Sequence, residues 1–331
     1  MTTNSTISFE EAKKIFERPF MELLADAHNV HIKHFRANTI QISTLLSVKT
    51  GACIEDCAYC AQSAHYQTSI QKHKLFDTDT IVEFAKVAKQ KGSHRFCMGA
   101  SGRSPSDKEL DSLCEAIIKI KAMGLETCAT LGLLTEYQAQ KLKESGLDFY
   151  NHNIDTSPEF YPKIISTRTL QDRLDTIQVA RDAGLKICAG GIMGMGETNE
   201  DRINMLVVLA NFPIPPESIP INHLVKIPGT PLSINKSGDS KNNDSVDTID
   251  CFDFVRIVAL ARILMPTSYI RLAAGRNAMN DSLQALCFFA GANSVFYGEK
   301  LLTTSNNTTY QDDMLFSRLN LQKEYFTESS V

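Results

Sequence analysis

The sequence predicts an α/β fold in which eight parallel strands alternate with helices and close into a TIM-type (β/α)8 barrel. A helix, a glycine and a short apolar strand follow one another four times between residues 80 and 192. One strand candidate precedes these repeats and three follow them, which brings the total to eight. An open doubly wound sheet is the alternative, because periodicity alone does not decide whether a sheet closes.

The first part of the chain, residues 1–38, is predicted to be an N-terminal helical extension. Ser8-Phe9-Glu10-Glu11 has the pattern of a capping box, and helix-favouring residues continue to about Ala27. The stretch "TIQISTLLSV" (39–48) predicts a buried first strand. A cysteine-rich loop follows this strand.

The four repeats share one order of elements. Each helical segment ends at a glycine, which suits the left-handed position after a helix; the glycines are Gly92, Gly124, Gly146 and Gly184. The strands that follow are short and apolar, as expected where helices cover both faces of a parallel sheet: "SHRFCMG", "LETCATLG", "LDFYNHNID" and "LKICAGGI". The later strand candidates are "SIPINHLV", "SYIRLAAG" and "NSVFYG".

The predicted barrel domain covers residues 39–305. Within it, residues 233–249 ("SINKSGDSKNNDSVDTI") are polar and predict a flexible surface insertion. Residues 306–331 are weakly patterned and are interpreted as a polar C-terminal tail.

Composition excludes several classes of protein. The net charge is −4, and no basic stretch is dense enough to predict nucleic-acid binding. The N-terminus has no secretory pattern, and no apolar run reaches the roughly 18 residues of a membrane span. We therefore expect a cytoplasmic protein, in which the nine cysteines are reduced and the clustered ones bind metal or take part in catalysis.

Three cysteines, Cys53, Cys57 and Cys60, lie within eight positions in "CIEDCAYC". A structural zinc site needs four ligands, and His65 could supply the fourth. An iron–sulfur site fits the spacing better, because thiolates hold such clusters. Three ligands on a four-iron cube leave one iron open for substrate chemistry.

Another three cysteines, Cys97, Cys128 and Cys188, each occur four or five residues after the glycine that ends a helix. Equal depth on three strands would bring their side chains together inside a barrel. The alternative is that they are small core residues, as free cysteines often are. We assign Cys114, Cys251 and Cys287 to this second class.

The spacing C-x3-C-x2-C, with Tyr59 before the last cysteine, resembles the signature of the radical S-adenosylmethionine enzymes. That resemblance implies that Cys53, Cys57 and Cys60 bind a 4Fe–4S cluster. It also implies that the open iron binds S-adenosylmethionine, with Tyr59 at the cofactor. Reductive cleavage would then yield a 5′-deoxyadenosyl radical.

From about Phe9 to Thr304 the chain is similar to the biotin synthase family. The matching stretches are "STLLSVKTGACIEDCAYCAQS", "RFCMGA", "KAMGLETCATLG", "YNHNIDTSPEFY", "GGIMGMGET", "PPESIPINHLVKIPGTPL", "MPTSYIRLAAGR" and "CFFAGANSVFYGEKLLTT". The resemblance implies a second cluster, 2Fe–2S, deep in the barrel, with the ligands Cys97, Cys128, Cys188 and Arg271. Without the resemblance, Arg271 would be interpreted as an ion partner inside the barrel.

The resemblance also implies the residues that bind the small molecules. Arg173 would pair with the methionine carboxylate, for which a guanidinium fork is suited. Asn153 and Asp155 would hold the ribose hydroxyls, at the strand end where barrel active sites lie. Ile192, in the glycine-rich stretch Gly190–Glu197, would pack on adenine. Asn222, together with Asn153, would bind the ureido ring of the substrate through its amide donor and acceptor.

The implied reaction is the conversion of dethiobiotin to biotin. Radicals from two S-adenosylmethionine molecules would abstract hydrogen at C9 and then C6, and the 2Fe–2S cluster would supply sulfur. The implied partners are a flavodoxin-type electron donor, the Fe–S assembly machinery and a second copy in a homodimer. Two alternatives remain: a related radical enzyme of the hydrogenase-maturation or methylornithine-synthase type, and a zinc-stabilised binding protein.

Overall fold

The computed structural model describes residues 6–233 and 249–324, and in them eight parallel strands form a closed barrel. The barrel strands are β1 (Thr39–Lys49), β2 (Arg95–Ala100), β3 (Glu126–Thr130), β4 (Phe149–Asn151), β5 (Lys186–Cys188), β7 (Ser218–His223), β8 (Tyr269–Leu272) and β9 (Ser294–Phe296). The last strand pairs with the first, with Gln41 opposite Ser294. This pairing confirms the predicted barrel and excludes the open sheet.

Helices surround the barrel, and the helices of the four repeats end just before the predicted glycines. The helices after β1 are α3 (Thr78–Gln90), α4 (Asp107–Ala122), α5 (Glu136–Glu144), α6 (Leu170–Asp182), α7 (Asn199–Ala210), α8 (Cys251–Leu264), α9 (Asp281–Phe289) and α10 (Thr309–Leu319). Side-chain caps start them; Ser106 and Thr169, for example, each accept a hydrogen bond within a capping box. The four predicted stop glycines all have positive φ, between 79° and 91°.

One predicted strand, "LKICAGGI", is interrupted in the structure. β5 ends at Cys188, and a separate strand β6 (Gly191–Met193) pairs with β7. The break occurs where other backbone segments approach closely. A Cβ at Gly190 would lie 2.0 Å from the carbonyl oxygen of Pro220, and one at Gly191 would lie 2.6 Å from that of Asp155. Glycine is therefore required at both positions.

Two helices precede the barrel, α1 (Phe9–Phe16) and α2 (Phe20–His34), instead of the single helix predicted to Ala27. Pro19 separates them, because proline disfavours helical geometry in the residue before it. The Ser8 capping box is present. Arg256 of α8 fixes the junction by donating hydrogen bonds to the carbonyl oxygens of Phe16 and Arg18.

The C-terminal segment contains elements that the sequence analysis does not predict. α10 is followed by β10 (Gln322–Lys323), which pairs in parallel with the start of β1. Leu315 and Phe316 of α10 are buried in the core, and so is the carboxylate of Asp312. A buried ion pair between Asp312 and Arg276 also holds this helix to the barrel, and sequence periodicity does not reveal such a pair.

Residues 234–248, which form nearly all of the predicted polar insertion, lie outside the described residues. Across residues 6–233 and 249–324, no helix has both the length and the apolar character needed to cross a membrane.

Candidate active site

The loop after β1 carries Cys53, Cys57 and Cys60, called the outer cysteines below. All three line a cavity of about 290 Å3 at the C-terminal end of the barrel strands. Burial raises the pKa of the Cys57 thiol, and it raises that of Cys60 to about 12. Burial therefore favours the protonated form of both thiols, and metal binding must displace their protons.

Asp56, between two of the outer cysteines, ties this loop to the segment before α6. Its carboxylate accepts hydrogen bonds from the backbone N–H groups of Ser166 and Thr167, at 2.9 and 3.1 Å. Burial opposes ionisation of Asp56, but the hydrogen bonds from Ser166 and Thr167 outweigh it and lower the pKa to about 2. The next residue, Arg168, reaches Cys57, with 3.7 Å between Nη2 and Sγ.

A buried ion pair joins Arg173 and Asp155 beside the outer cysteines. Arg173 Nη2 lies 2.5 Å from Asp155 Oδ2, and Tyr59 donates its hydroxyl proton to the same oxygen at 2.6 Å. Arg173 also donates from Nε to the hydroxyl of Tyr161 and from Nη1 to the carbonyl oxygen of Asn153. Asp155 has a φ of +67°, a strained value for a residue with a side chain.

Asn153, Ile192 and Asn222 line the same cavity. Asn153 Oδ1 accepts a hydrogen bond from Gly190 N at 3.2 Å. The amide of Asn222 bridges two backbone segments: Nδ2 donates to Gly191 O, and Oδ1 accepts from Ala274 N. The structure therefore brings the predicted binding residues together around one cavity.

The inner cysteines, Cys97, Cys128 and Cys188, lie deeper in the barrel and are at most 4% exposed. Cys97 and Cys128 are opposite each other on β2 and β3. All three cysteines pack in one buried cluster with Phe149. Contact with Cys128, aided by the charge of Arg271, lowers the pKa of Cys188 to about 6. The three thiols thus form one contiguous group, as their equal depth predicts.

Arg271 of β8 is 1% exposed, and its charge acts on the thiols of Cys97 and Cys188. It donates from Nε to Ser294 Oγ at 2.9 Å, and from Nη2 to Gln41 Oε1 and Ser43 Oγ at 3.1 and 3.0 Å. The ring of Phe296 packs against the guanidinium, with a centroid distance of 4.8 Å. These contacts hold Arg271 inside the barrel near the inner cysteines.

Several residues of the site were not identified from the sequence. Glu197 orders the glycine-rich loop by accepting hydrogen bonds from Gly194 N, Met195 N and Arg202 Nε. His152 lines the cavity, and burial lowers its pKa well below the usual value. Arg95 lies beside the inner cysteines. Its place two residues before Cys97 on the same strand is a signal that could have revealed it, since alternate residues share one face.

The residues excluded from the predicted site lie elsewhere. Cys114 is on α4, Cys251 is exposed at the start of α8, and Cys287 is buried on α9. His65, the fourth ligand of the zinc alternative, has its Nε2 atom 3.0 Å from the carbonyl oxygen of Ile54. Among the described residues, no group of three His, Cys, Asp or Glu side chains could hold a single metal ion.

Family comparisons agree with this arrangement. Residues 47–209 match the Radical SAM superfamily, and residues 220–322 match the Biotin and Thiamin Synthesis associated domain. The biotin synthase of Azoarcus sp. (strain BH72) is 55% identical over 94% of this chain and 92% of its own length. That of Rickettsia felis is 56% identical over 95% of this chain and 98% of its own length.

Solved structures share the fold at low sequence identity. Methylornithine synthase has a TM-score of 0.77 and 17% identity, over 97% of this chain and 95% of its own. The hydrogenase maturase HydG from Carboxydothermus hydrogenoformans has a TM-score of 0.77 and 21% identity, over 98% of this chain and 77% of its own. These identities support the fold alone, whereas the sequence relatives identify the family. The chain belongs to the biotin synthase family of radical S-adenosylmethionine enzymes.

Proposed function

We propose that this enzyme converts dethiobiotin to biotin by inserting sulfur between C6 and C9. One observation carries the proposal: two separate cysteine sets occupy different depths of one barrel, with the candidate binding residues grouped at the outer set. Enzymes of the methylornithine-synthase and hydrogenase-maturation types share the fold. Their sequence identity to this chain is low, so it does not support their reactions for this protein.

The outer cysteines fit a 4Fe–4S cluster. Their three sulfur donors lie on one loop that lines the cavity, so a four-iron cube would keep one iron open towards it. S-Adenosylmethionine would occupy the cavity beside that iron. Arg173 would bind its carboxylate, Asn153 and Asp155 its ribose, and Ile192 and Tyr59 its adenine side.

The inner cysteines together with Arg271 fit a 2Fe–2S cluster. The three cysteines belong to one buried cluster that is closed to solvent, and the Asn151 amide donates to Cys188 Sγ at 3.5 Å. Arg271 would be the fourth ligand. An arginine is normally protonated, so coordination through nitrogen requires that it loses a proton in this pocket.

When bound, the outer cluster supplies the electron that cleaves S-adenosylmethionine to a 5′-deoxyadenosyl radical, and the inner cluster supplies the sulfur atom. The protein's part is to hold dethiobiotin between the two sites and to exclude water from the radical. Asn153 and Asn222 would bind the ureido ring. Because the Asn222 amide already bridges Gly191 and Ala274, it offers the substrate its remaining N–H and lone pair, in a fixed orientation.

The further partners of this proposal are a flavodoxin-type reductant, the Fe–S assembly machinery that loads both clusters, and a second copy of the chain in a homodimer. The cytoplasm is the proposed location, since the cysteines must stay reduced to hold both clusters. Each of these follows from membership of the family rather than from a contact in the structure.

The test is an anaerobic reaction of the reconstituted enzyme with S-adenosylmethionine, a reductant and dethiobiotin, followed by mass spectrometry. Biotin together with 5′-deoxyadenosine supports the proposal. 5′-Deoxyadenosine without biotin, with both clusters loaded, would contradict the substrate.

Substitution of an inner cysteine separates the two half-reactions. Cys128→Ser is expected to abolish biotin formation, while 5′-deoxyadenosine still forms at the outer site. Cys114→Ser is the matched control, because Cys114 is also buried but lies on α4, and it should retain biotin formation. Biotin formation by Cys128→Ser would disprove the inner-cluster assignment.

A further inference from the structure

The inner cysteines have a second arginine neighbour, Arg95, to which the proposed function gives no role. It is on β2, two residues before Cys97, so both side chains point to the same side of the strand. Arg95 is opposite Glu126 on β3, just as Cys97 is opposite Cys128. The Arg95–Glu126 pair therefore forms the layer next to the cysteine layer.

Most of the Arg95 guanidinium is fixed by its neighbours. Nε and Nη2 donate to Glu126 Oε2 at 3.0 and 2.8 Å. The guanidinium carbon lies 3.5 Å from the centroid of the Phe149 ring, which belongs to the same apolar cluster as the inner cysteines. Glu126 and Phe149 thus leave the guanidinium little freedom to turn.

The remaining nitrogen, Nη1, is buried and has no hydrogen-bond partner among the described residues. Arg95 is only 1% exposed, so bulk water does not compensate for this. An unpaired buried donor is costly, and more so on a charged group. Such a donor calls for an explanation, and an absent group that accepts its hydrogen bond is one.

Sulfur atoms are among the groups near Arg95 that could accept this bond. Its charge interacts with the thiols of Cys97, Cys128 and Cys188, which are all buried. Arg271 differs from it, because hydroxyl and amide oxygens of three barrel residues accept from its Nε and Nη2. The two arginines therefore differ in their hydrogen bonding. Polar side chains position Arg271, whereas Arg95 has one donor atom without a partner.

We propose that Arg95 is a positioning residue that donates a hydrogen bond from Nη1 to a sulfur atom of the iron–sulfur group held by the inner cysteines. This inference rests on the proposed function. Hydrogen bonds to cluster sulfurs and nearby positive charge both stabilise the reduced, more negative state and so raise the reduction potential. If Arg271 binds iron as a neutral ligand, Arg95 keeps the positive charge in this layer, held in place by Glu126.

The experiment compares Arg95→Met, Arg95→Lys and Glu126→Gln in the reconstituted full-length enzyme. Mössbauer spectroscopy identifies the 2Fe–2S group, a redox titration gives its potential, and resonance Raman spectroscopy gives its Fe–S stretching frequencies. Arg95→Met is expected to shift the potential to a more negative value and to change the stretching frequencies. Glu126→Gln keeps the Arg95 donor and should shift the potential less than Arg95→Met does. Arg95→Lys keeps the charge but loses the guanidinium fork, so it should shift the potential by an intermediate amount.

An Arg95→Met enzyme with a normal 2Fe–2S doublet, an unchanged potential and unchanged stretching frequencies would overturn the inference. If Arg95→Met does not fold, the same comparison with Arg95→Lys decides, because the lysine retains a partner for Glu126. A wild-type enzyme without any 2Fe–2S doublet would overturn the inner-cluster assignment itself. That failure differs visibly from a failure of the Arg95 inference alone.

Discussion

The ion pair between Arg276 and Asp312 allows a quantitative test of how the C-terminal helix is held to the barrel. Both side chains have no exposed surface, and the pair is bidentate, with N–O distances of 2.6 and 2.7 Å. Asn307 also donates to the carboxylate, and Arg276 donates to the carbonyl oxygen of Phe296. We therefore expect Asp312→Asn to be strongly destabilising, since it leaves a buried guanidinium without its counter-ion.

The expected magnitude follows from burial and chain length. Removing one partner of a buried ion pair costs about 3–5 kcal/mol. With an unfolding entropy of about 2.1 cal/mol/K per residue, a chain of 331 residues unfolds with about 0.7 kcal/mol/K. The thermal midpoint of Asp312→Asn should therefore fall by about 4–7 °C.

The assay is thermal unfolding of the metal-free protein, followed by circular dichroism. Asp313→Asn is the matched control, because Asp313 is the next residue on α10 but its side chain is 49% exposed in its pair with Lys323. A surface pair contributes at most about 1 kcal/mol, so the midpoint of the control should move by less than about 2 °C. Equal midpoints for the two variants would refute the argument that burial makes the Arg276–Asp312 pair essential.

Two further predictions concern the cavity and the N-terminal helices. Arg173→Lys keeps the charge but loses the guanidinium fork. We expect KM for S-adenosylmethionine to rise by about 10- to 100-fold, which corresponds to the loss of one charged hydrogen bond. Steady-state kinetics measures KM, and an unchanged value would contradict the role proposed for Arg173. His31 of α2 is buried, and burial, together with the charge of Arg262, lowers its pKa to about 4. Between pH 6.5 and pH 4, His31 therefore binds a proton more readily in the unfolded chain than in the folded protein. The free energy of unfolding thus falls as the pH drops through this range. Urea unfolding at pH 7.5 and pH 5 measures how much free energy of unfolding each protein loses on acidification. The loss should be about 2 kcal/mol smaller in His31→Leu than in the wild type. An equal loss in both proteins would exclude a contribution from His31.

The sequence was informative where a feature depends on neighbouring positions. The stop glycines, the apolar strands and the C-x3-C-x2-C spacing are all local, and they were sufficient to predict the barrel repeats and the outer loop. Cys97, Cys128 and Cys188 are far apart in the chain, but each occupies the same place in its own repeat. Equal depth could therefore be inferred before the registers of the strands were known.

Other features depend on contacts that no local pattern records. Asp312 is important because it meets Arg276, and the two are 36 residues apart. Arg95 is important because β3 brings Glu126 beside it and because one of its nitrogens remains unpaired. The break between β5 and β6 depends on how closely Pro220 approaches Gly190. Such pairings exist only after the barrel has closed, so composition and periodicity could not predict them.

The pairing of Arg173 with Asp155 affects which ligands the cavity can bind. Asp155 accepts a hydrogen bond from Tyr59 and lies against Arg173, so the buried charges compensate each other. A ligand that carries both a carboxylate and hydroxyl groups can replace both halves of this pair at once, whereas a simple carboxylate would leave Asp155 buried without its counter-ion. Uncompensated buried charge is costly. We therefore expect the cavity to discriminate against methionine alone in favour of S-adenosylmethionine, whose ribose hydroxyls can donate to the Asp155 carboxylate when Arg173 turns to the ligand.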